Sequence, residues 1–582
     1  MRPMTQSGEG TRPLSWTINV LVLVLLVGVW FATLGGSLLT EPDEARYAEI
    51  PREMLVYGDW ITPRLDGIVY FEKPPLQYWI TAAAYSVFGV HPWVSKLWTW
   101  IASWLGILLV GFAGARLFGR RAGVLGALVL ASSPLYFAVG HINTLDSGLT
   151  FFMAAALVTF LLSRQSATGS SQRRWWMLAA WAAMALGVLS KGPVALLIPA
   201  GSLIGYFALT RDRSSLEGLE PVLGPALLLL ICAPWFILVS SRNPGFARFF
   251  FIHEHVERFL TNEHGRVKPW WFFVVLLLVG MIPWIGAVLR GWYRSLAGPA
   301  GPGFAVEKFL GVYALVVLGF FSASGSKLAP YLDPIIPPLA LLGAAAIDRL
   351  PERRIRLTPL LMFVGAGLLL VAIPVLMAKI HAGPEFPETQ RFVPWVFVTA
   401  AVWAIGAAVG VILARRARPL YSCVAVAAGL VLGLQFMFLG LREYSQTRSA
   451  AAVTAALREQ LGSGSTTIYS IGGYLQGIPF DLRRPVTVVG RQGDLEVQLE
   501  PRSPNWIPSL EAFAVRWNAE THPVAVVDKG AWAAVARLRL PMETFYSDGQ
   551  TVLVRKNTRL SADDGRTADG AMTAVERHAS QE

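Results

Sequence analysis

WTINVLVLVLLVGVWFATLGGSLL (16–39) runs without a break into TEPDEARYAEIPREMLVYGDWITPRLDGIVYFEKPP (40–75). The first piece is apolar and long enough to cross a bilayer, which takes about 20 residues. The second crowds acids, bases and tyrosines against the end of that span. A membrane crossing that opens directly into a dense polar loop makes the chain polytopic and puts its chemistry at one membrane boundary.

The composition agrees. Hydrophobic residues make up 54% of the 582 and charged residues only 15%, with a mean hydropathy of +0.48. Soluble proteins carry about 25% charged residues, so this set cannot cover a water-facing surface. The 21 Trp and 31 Phe suit a chain that meets two membrane interfaces. The net charge of +12 suggests either nucleic acid or basic cytoplasmic loops, and the position of the arginines decides between them. The two cysteines, Cys232 and Cys423, both lie inside apolar runs, which leaves no disulfide framework and no Cys-based metal site. No cleavable signal is expected, because the first apolar run spans and lacks a clear A-x-A site.

A hydropathy window of about 19 residues predicts about thirteen spans: near 15–36, 93–117, 122–138, 147–163, 175–190, 192–209, 221–239, 270–290, 304–323, 332–348, 358–378, 393–414 and 419–441. With the N-terminus inside, the inner loops hold Arg120/Arg121, Arg173/Arg174, Arg211/Arg213, Arg290/Arg294, Arg349/Arg353/Arg354/Arg356 and Arg415/Arg416/Arg418. Every such loop is basic, as the positive-inside rule requires. The charge therefore fixes orientation and calls for no nucleic acid. An odd number of spans places everything after residue 442 outside.

The expected organisation is a transmembrane domain over 1–441, a small soluble α/β domain over 442–558 and a polar disordered tail over 559–582. The first outer loop, 37–92, holds an apolar stretch at 75–89 that is short for a span and suits a helix lying in the interface. In the outer domain, 449–461 reads as an amphipathic helix. Stretches 466–470, 486–489, 524–527 and 551–554 read as strands.

Candidate chemistry gathers on the outer side. If the segment from Thr40 is helical, Asp43, Arg46 and Tyr47 share a face by i+3 and i+4 spacing, with Glu44 beside them. A carboxylate oriented by Arg or Tyr suits a general base or an anchor for a cation. A capping box, Thr40 with Asp43 three residues on, accounts for the same residues structurally. Glu72-Lys73-Pro74-Pro75 reads as an interfacial ion pair before a helix start, or as a Lys placed to meet a phosphate at headgroup depth. Asp146 in HINTLDS (141–147) and Lys191 in LSKGP (189–193) sit at span mouths, where charge is costly and usually functional. The plainer readings are an N-cap and a snorkelling lysine. FARFFFIHEHVERFL (246–260) reads first as an interfacial amphipathic helix whose Arg258 faces an anionic headgroup. Divalent-metal ligation by His253 with Glu72, as for zinc, is the alternative, although no HExxH spacing is present. Lys327 and Tyr331 occupy another outer boundary, close to Asp333.

No Walker A, no GxGxxG after a strand and no GxSxG is present. With acids and cations at the outer leaflet and no nucleotide site, the expected substrate is an activated group carried on lipid.

EPDEARYAEIPREM (41–54), GDWITPRL (58–65) and YFEKPPLQYW (70–79) together resemble the aminoarabinose transferase family. That family belongs to the GT-C membrane glycosyltransferases, which also include protein mannosyltransferases. HINTLDS, LSKGP and SGSKLAPYLDP (324–334) are similar to its later blocks, and RRPVTVVG (483–490) is similar to part of its outer domain. The resemblance covers about 1–440 and, more weakly, the outer domain. It implies a GT-C bundle with surface helices in the first periplasmic loop, in a bacterial inner membrane. The implied reaction moves 4-amino-4-deoxy-L-arabinose from undecaprenyl phosphate to a phosphate of lipid A. Asp43 matches the family's catalytic acid and Lys73 the lysine that binds the carrier phosphate; Asp146 and Lys191 match less distinctive positions. No cofactor is implied beyond the metal alternative. Two competing readings remain: a GT-C transferase for another polyprenyl-linked sugar or acceptor, and a lipid-linked sugar transporter or flippase, whose sites lie near the midplane.

Overall fold

The computed structural model describes residues 16–36, 38–257, 268–299, 303–380, 387–461, 466–490 and 503–557. Arg258, the stretch 491–502 and the tail expected over 559–582 lie outside the described residues.

Each window expected to span carries helix. The N-terminal elements are α1 (Trp16–Phe31), α2 (Asp43–Tyr57), α3 (Leu76–Phe88), α4 (Pro92–Phe118), α5 (Arg120–Ala131), α6 (Pro134–His141), α7 (Asp146–Gln165), α8 (Ser171–Lys191), α9 (Val194–Thr210) and α10 (Leu223–Arg242). Among the described residues, seven helices are long and apolar enough to cross a membrane, or nine if each of two bent pairs is one crossing. The bent pairs are α5–α6, at 62°, and Phe272–Gly280 with Ile285–Ala297, at 119°. The other expected spans fall on α1, α8, α9 and Leu357–Ile380; α1 and α9 are shorter and α8 is more polar, and Leu357–Ile373 is the part of the last that counts as a shorter apolar helix.

Burial ranks the helices. The apolar windows of α7 and Ala329–Asp348 are 78% and 89% buried, whereas those of α10 and Arg391–Arg415 are 22% buried. The first pair therefore forms the centre of the bundle and the second its lipid-facing wall. Small residues let backbones approach where lipid supplies no hydrophobic drive. A Cβ on Gly114 would lie 2.9 Å from the Cα of Gly123 on α5, so α4 and α5 touch backbone to backbone. Polar side chains close the ring. The Thr33 hydroxyl donates to Gln435 Oε1 at 2.7 Å, and Gln435 Nε2 donates to the carbonyls of Val29 and Trp30 at 2.7 and 3.0 Å. This joins the first helix to Pro419–Thr447, the last long one.

The first loop folds into α2, a hairpin and α3. Strands β1 (Arg64–Leu65) and β2 (Ile68–Val69) are joined by Asp66 and Gly67, both at positive φ, 58° and 73°. That is the Asp-Gly signature of a two-residue hairpin turn. The stretch expected to lie at the surface, 75–89, is helical as α3; it buries Tyr78, Thr81, Ala82 and Tyr85 and exposes Val87 and Phe88. The expected capping box does not form. Pro42 holds the N-cap position with no side-chain cap, and the contact is made by Glu44 reaching back to Thr40. The segment read as an amphipathic α-helix is a π-helix, Arg248–Glu257, an i→i+5 form that recurs at functional sites. Its Phe250 stacks on Phe246, which meets Phe71 edge-on.

Beyond Thr447 the chain forms an α/β fold. Its six strands are β3 (Ile468–Ile471), β4 (Thr487–Val489), β5 (Trp506–Ile507), β6 (Val524–Asp528), β7 (Met542–Ser547) and β8 (Thr551–Lys556). They order as β5-β4-β3-β6-β8-β7. The left four run parallel, while β8 pairs antiparallel with both β6 and β7. The four expected strands are present, as is the helix at Ala451–Gln460. The two not anticipated are β5, two residues long, and β7, an edge strand without an apolar run.

Candidate active site

α2 is a charged helix that is buried. Glu44, Arg46, Tyr47, Glu49, Arg52 and Glu53 are all inside, because α3, the bundle and the C-terminal domain cover it. The cost of burying charge is met by pairing. Glu44 forms an ion pair with Lys96 of α4 at 3.0 Å and accepts from the Thr40 N–H and hydroxyl and from the Asn143 N–H. Burial alone would push its carboxyl up, but Lys96 and these donors hold it below the usual carboxylate range. Expected as a companion acid in the chemistry, Glu44 has both oxygens engaged and ties the loop to the α6–α7 junction.

Asp43, one residue earlier, is the exception on this helix. Its side chain is 46% exposed, while Arg46, 3.7 Å away, is 3% exposed. Arg46 is fixed from the other side: Nε donates to Gln476 Oε1 at 2.8 Å and Nη1 to the Tyr70 hydroxyl at 3.3 Å. Tyr47 and Tyr78 lie side by side, ring centroids 6.3 Å apart. Burial pushes the hydroxyls of Tyr47, Tyr70 and Tyr78 well up, so all three are neutral donors at physiological pH; Arg46 and Glu72 act electrostatically on Tyr47 and Tyr78 alike. Asp43, Arg46, Tyr47 and Glu72 thus belong to one polar patch, as the i+3 and i+4 spacing of α2 leads one to expect for the first three.

Lys73 stands at the rim of that patch. Its ammonium donates to the Glu72 carbonyl at 2.9 Å and to Glu254 of the π-helix at 3.0 Å, with the Glu72 carboxylate 3.5 Å away.

A second pair lies one turn of chain from Asn143. Asp146 opens α7 and forms an ion pair with Lys191 at the end of α8. The Lys191 ammonium also sits 4.5 Å from the centre of the Tyr331 ring, a cation–π contact. Asp333 is fully buried and acts electrostatically with both Asp146 and Lys191. A Cβ on Gly148 would press on Trp98 Nε1 at 2.8 Å and Ser190 Oγ at 3.2 Å, and both atoms are buried without a hydrogen-bond partner. Gln77 of α3 donates to Asn143 at 3.2 Å, so Gln77, Asn143 and Glu44 link the two clusters.

The remaining candidates separate. Lys327 donates to the Ser324 carbonyl at 2.6 Å and closes its own turn. His253 pairs with Glu257 at 2.8 Å on the exposed side of the π-helix, while Glu72 turns to Lys73. The expected metal pair of Glu72 and His253 is thus not assembled. Among the described residues no three His, Cys, Asp or Glu side chains converge on a metal position, and no step is derived through a metal. Tyr70, Tyr78, Lys96, Asn143 and Gln476 were not anticipated. Lys96 within an apolar span was the one legible signal; Gln476 carries none, being 430 positions from its partner.

The family described as dolichyl-phosphate-mannose-protein mannosyltransferase matches residues 72–238, and the aminoarabinose transferase C-terminal domain matches residues 453–556. An undecaprenyl phosphate-alpha-4-amino-4-deoxy-L-arabinose arabinosyl transferase of Pseudomonas aeruginosa is 32% identical over 405 residues, 68% of this chain and 71% of its own. Its namesake from Edwardsiella ictaluri is 29% identical over 85% of this chain and 90% of its own. The crystal structure of ArnT from Cupriavidus metallidurans bound to undecaprenyl phosphate superposes with a TM-score of 0.86 at 33% identity, covering 95% of this chain and all of that one. The chain is a multi-span membrane glycosyltransferase of the GT-C fold and belongs to the undecaprenyl phosphate-aminoarabinose arabinosyl transferase family.

Proposed function

We propose that this chain transfers 4-amino-4-deoxy-L-arabinose from undecaprenyl phosphate to a phosphate of lipid A, at the periplasmic face of a bacterial inner membrane. The likeness to the arabinosyl transferases and to ArnT holding undecaprenyl phosphate supports the donor. The observation that carries the site is the half-exposed carboxylate of Asp43 on a helix whose other charged side chains are buried, in one polar patch with Glu72 and its neighbour Lys73. The basic loops between the expected spans support an outer position for this patch and for the domain after 442.

In the transfer, the bond from the sugar's anomeric carbon to the carrier phosphate breaks. A phosphate oxygen of the acceptor forms the new bond. Negative charge grows on the departing undecaprenyl phosphate, where preorganised cations act most strongly in a water-poor site. Lys73, beside Glu72 and Glu254, and Lys191, held between Asp146 and Tyr331, supply that charge; Arg258 is carried from the sequence in the same role. An acceptor phosphate needs little deprotonation, so Asp43 orients the acceptor or the sugar's ammonium, with Arg46 and Tyr47 setting its position.

Mass spectrometry of lipid A from cells with and without the chain checks the assignment. An added aminopentose, together with release of undecaprenyl phosphate by the purified protein, is the expected result. Unmodified lipid A with no carrier released would overturn it.

A further inference from the structure

We propose that Gln476, on the C-terminal domain, is a positioning residue for Asp43, and that the domain takes part in transfer through it. The inference rests on Asp43 as the acid of the site, proposed above.

The contacts bracket Asp43 on both sides. Before it, Glu41 is held by two backbone donors of the domain: Gln476 N–H to Oε2 at 2.9 Å and Gly477 N–H to Oε1 at 2.6 Å. After it, Arg46 is held by the Gln476 side chain, Nε to Oε1 at 2.8 Å. One dipeptide therefore grips residues 41 and 46, and Asp43 lies between them, 3.7 Å from the same guanidinium. Gln476 is itself buried. Gly477 permits the approach, since a Cβ there would stand 2.7 Å from Glu41 Oε1. The guanidinium is planar and its donors are fixed in a fork. Holding Nε sets the plane, and the plane sets where Nη1 meets Tyr70 and Asp43. The backbone grip on Glu41 serves docking; the side-chain grip on Arg46 serves orientation, and a substitution separates the two.

The test uses full-length protein in lipid nanodiscs, with undecaprenyl-linked aminosugar and lipid A. Gln476→Met keeps the bulk and both backbone donors but removes the acceptor. Because misplacement by about 1 Å costs up to ~100-fold, its kcat is expected to fall about ten- to a hundredfold. The KM for donor should stay within about twofold, and the C-terminal domain should remain as protease-resistant as before. Gln476→Glu restores an oxygen for Arg46 and should recover kcat at least about tenfold over Gln476→Met. Unchanged kcat in Gln476→Met overturns the proposal. So does a Gln476→Glu variant no better than Gln476→Met, and so does protease release of the domain in Gln476→Met, which would assign the side chain to docking. Asp43→Asn is measured alongside. Full activity there overturns the site assignment itself, whereas its loss with Gln476→Met unimpaired overturns only the role of Gln476.

Discussion

Asp43 and Lys73 differ in what surrounds them, and their variants should differ accordingly. Asp43 is half-exposed with one loose ion pair, so Asp43→Asn, which loses the charge that orients the substrate, should lose transfer by roughly a hundredfold with an unchanged melting temperature. Lys73 lies between two buried carboxylates. Lys73→Ala should lose transfer to a similar extent, as expected when a charge-stabilising donor goes, and should also cost about 3 kcal/mol of stability because those acids lose their shared cation. Adding Glu254→Gln to Lys73→Ala should raise the melting temperature again without restoring turnover. Parallel thermal denaturation and turnover assays separate the two effects. Both residues were legible in the sequence from their motifs. Their environments were not, since Glu254 reaches Lys73 from 181 positions away.

At the scale of elements, periodicity and length placed the helices, and contacts from distant elements explain what they missed. The face shared by Asp43, Arg46 and Tyr47 follows from 3.6 residues per turn, and α2 does begin at Asp43. A local rule put Thr40 at the cap; Pro42 holds that position instead, and Glu44, fixed by Lys96 and Asn143 on other elements, is the acid that meets Thr40. The π-helix at Arg248–Glu257 likewise departs from its sequence period, because its phenylalanines pack on Phe71 and Trp235. α2 depends on α4 for its charge balance. Lys96→Met should therefore destabilise the protein by about 3–5 kcal/mol, the cost of leaving a buried acid without its cation. A drop in melting temperature, with the loop of α2 becoming protease-sensitive, is the readout. An unchanged melting curve would show that Thr40 and Asn143 suffice for Glu44.

Across the whole molecule, the C-terminal domain is clasped to the first loop by acids that resist ionisation. Asp66 accepts from Val486 N–H at 2.8 Å, and Glu41 accepts from Gln476 and Gly477. Burial pushes Glu41 up to about 7 despite its two backbone donors, and burial with neighbouring Glu49 pushes Glu53 up to about 8. Asp66 and Glu49 are raised for the same first reason, with Arg52 opposing. These folded-state values lie above the unfolded ones, so the native protein binds more protons. The stability they contribute is complete below about pH 4.5 and is lost as pH rises through 7 to 8. The stability should therefore fall between about pH 4.5 and pH 8 by an amount on the order of a few kcal/mol, read as a falling melting temperature. Glu53→Gln, which cannot ionise, should flatten that slope. A slope unchanged in the variant would remove Glu53 from the account.

Hydropathy, arginine placement and short motifs are properties of neighbouring residues, so the sequence alone determined the membrane class, the helical bundle, the α/β domain and the position of Asp43 and Lys73. The tertiary structure decided what no local pattern carries. It set Lys73 on Glu254, joined Asp146 to Lys191 under Tyr331, and brought Gln476 to Arg46 across 430 residues. Charges that would be prohibitive alone in a buried site become tolerable only when distant segments supply their partners, and those partners exist only once the chain has folded.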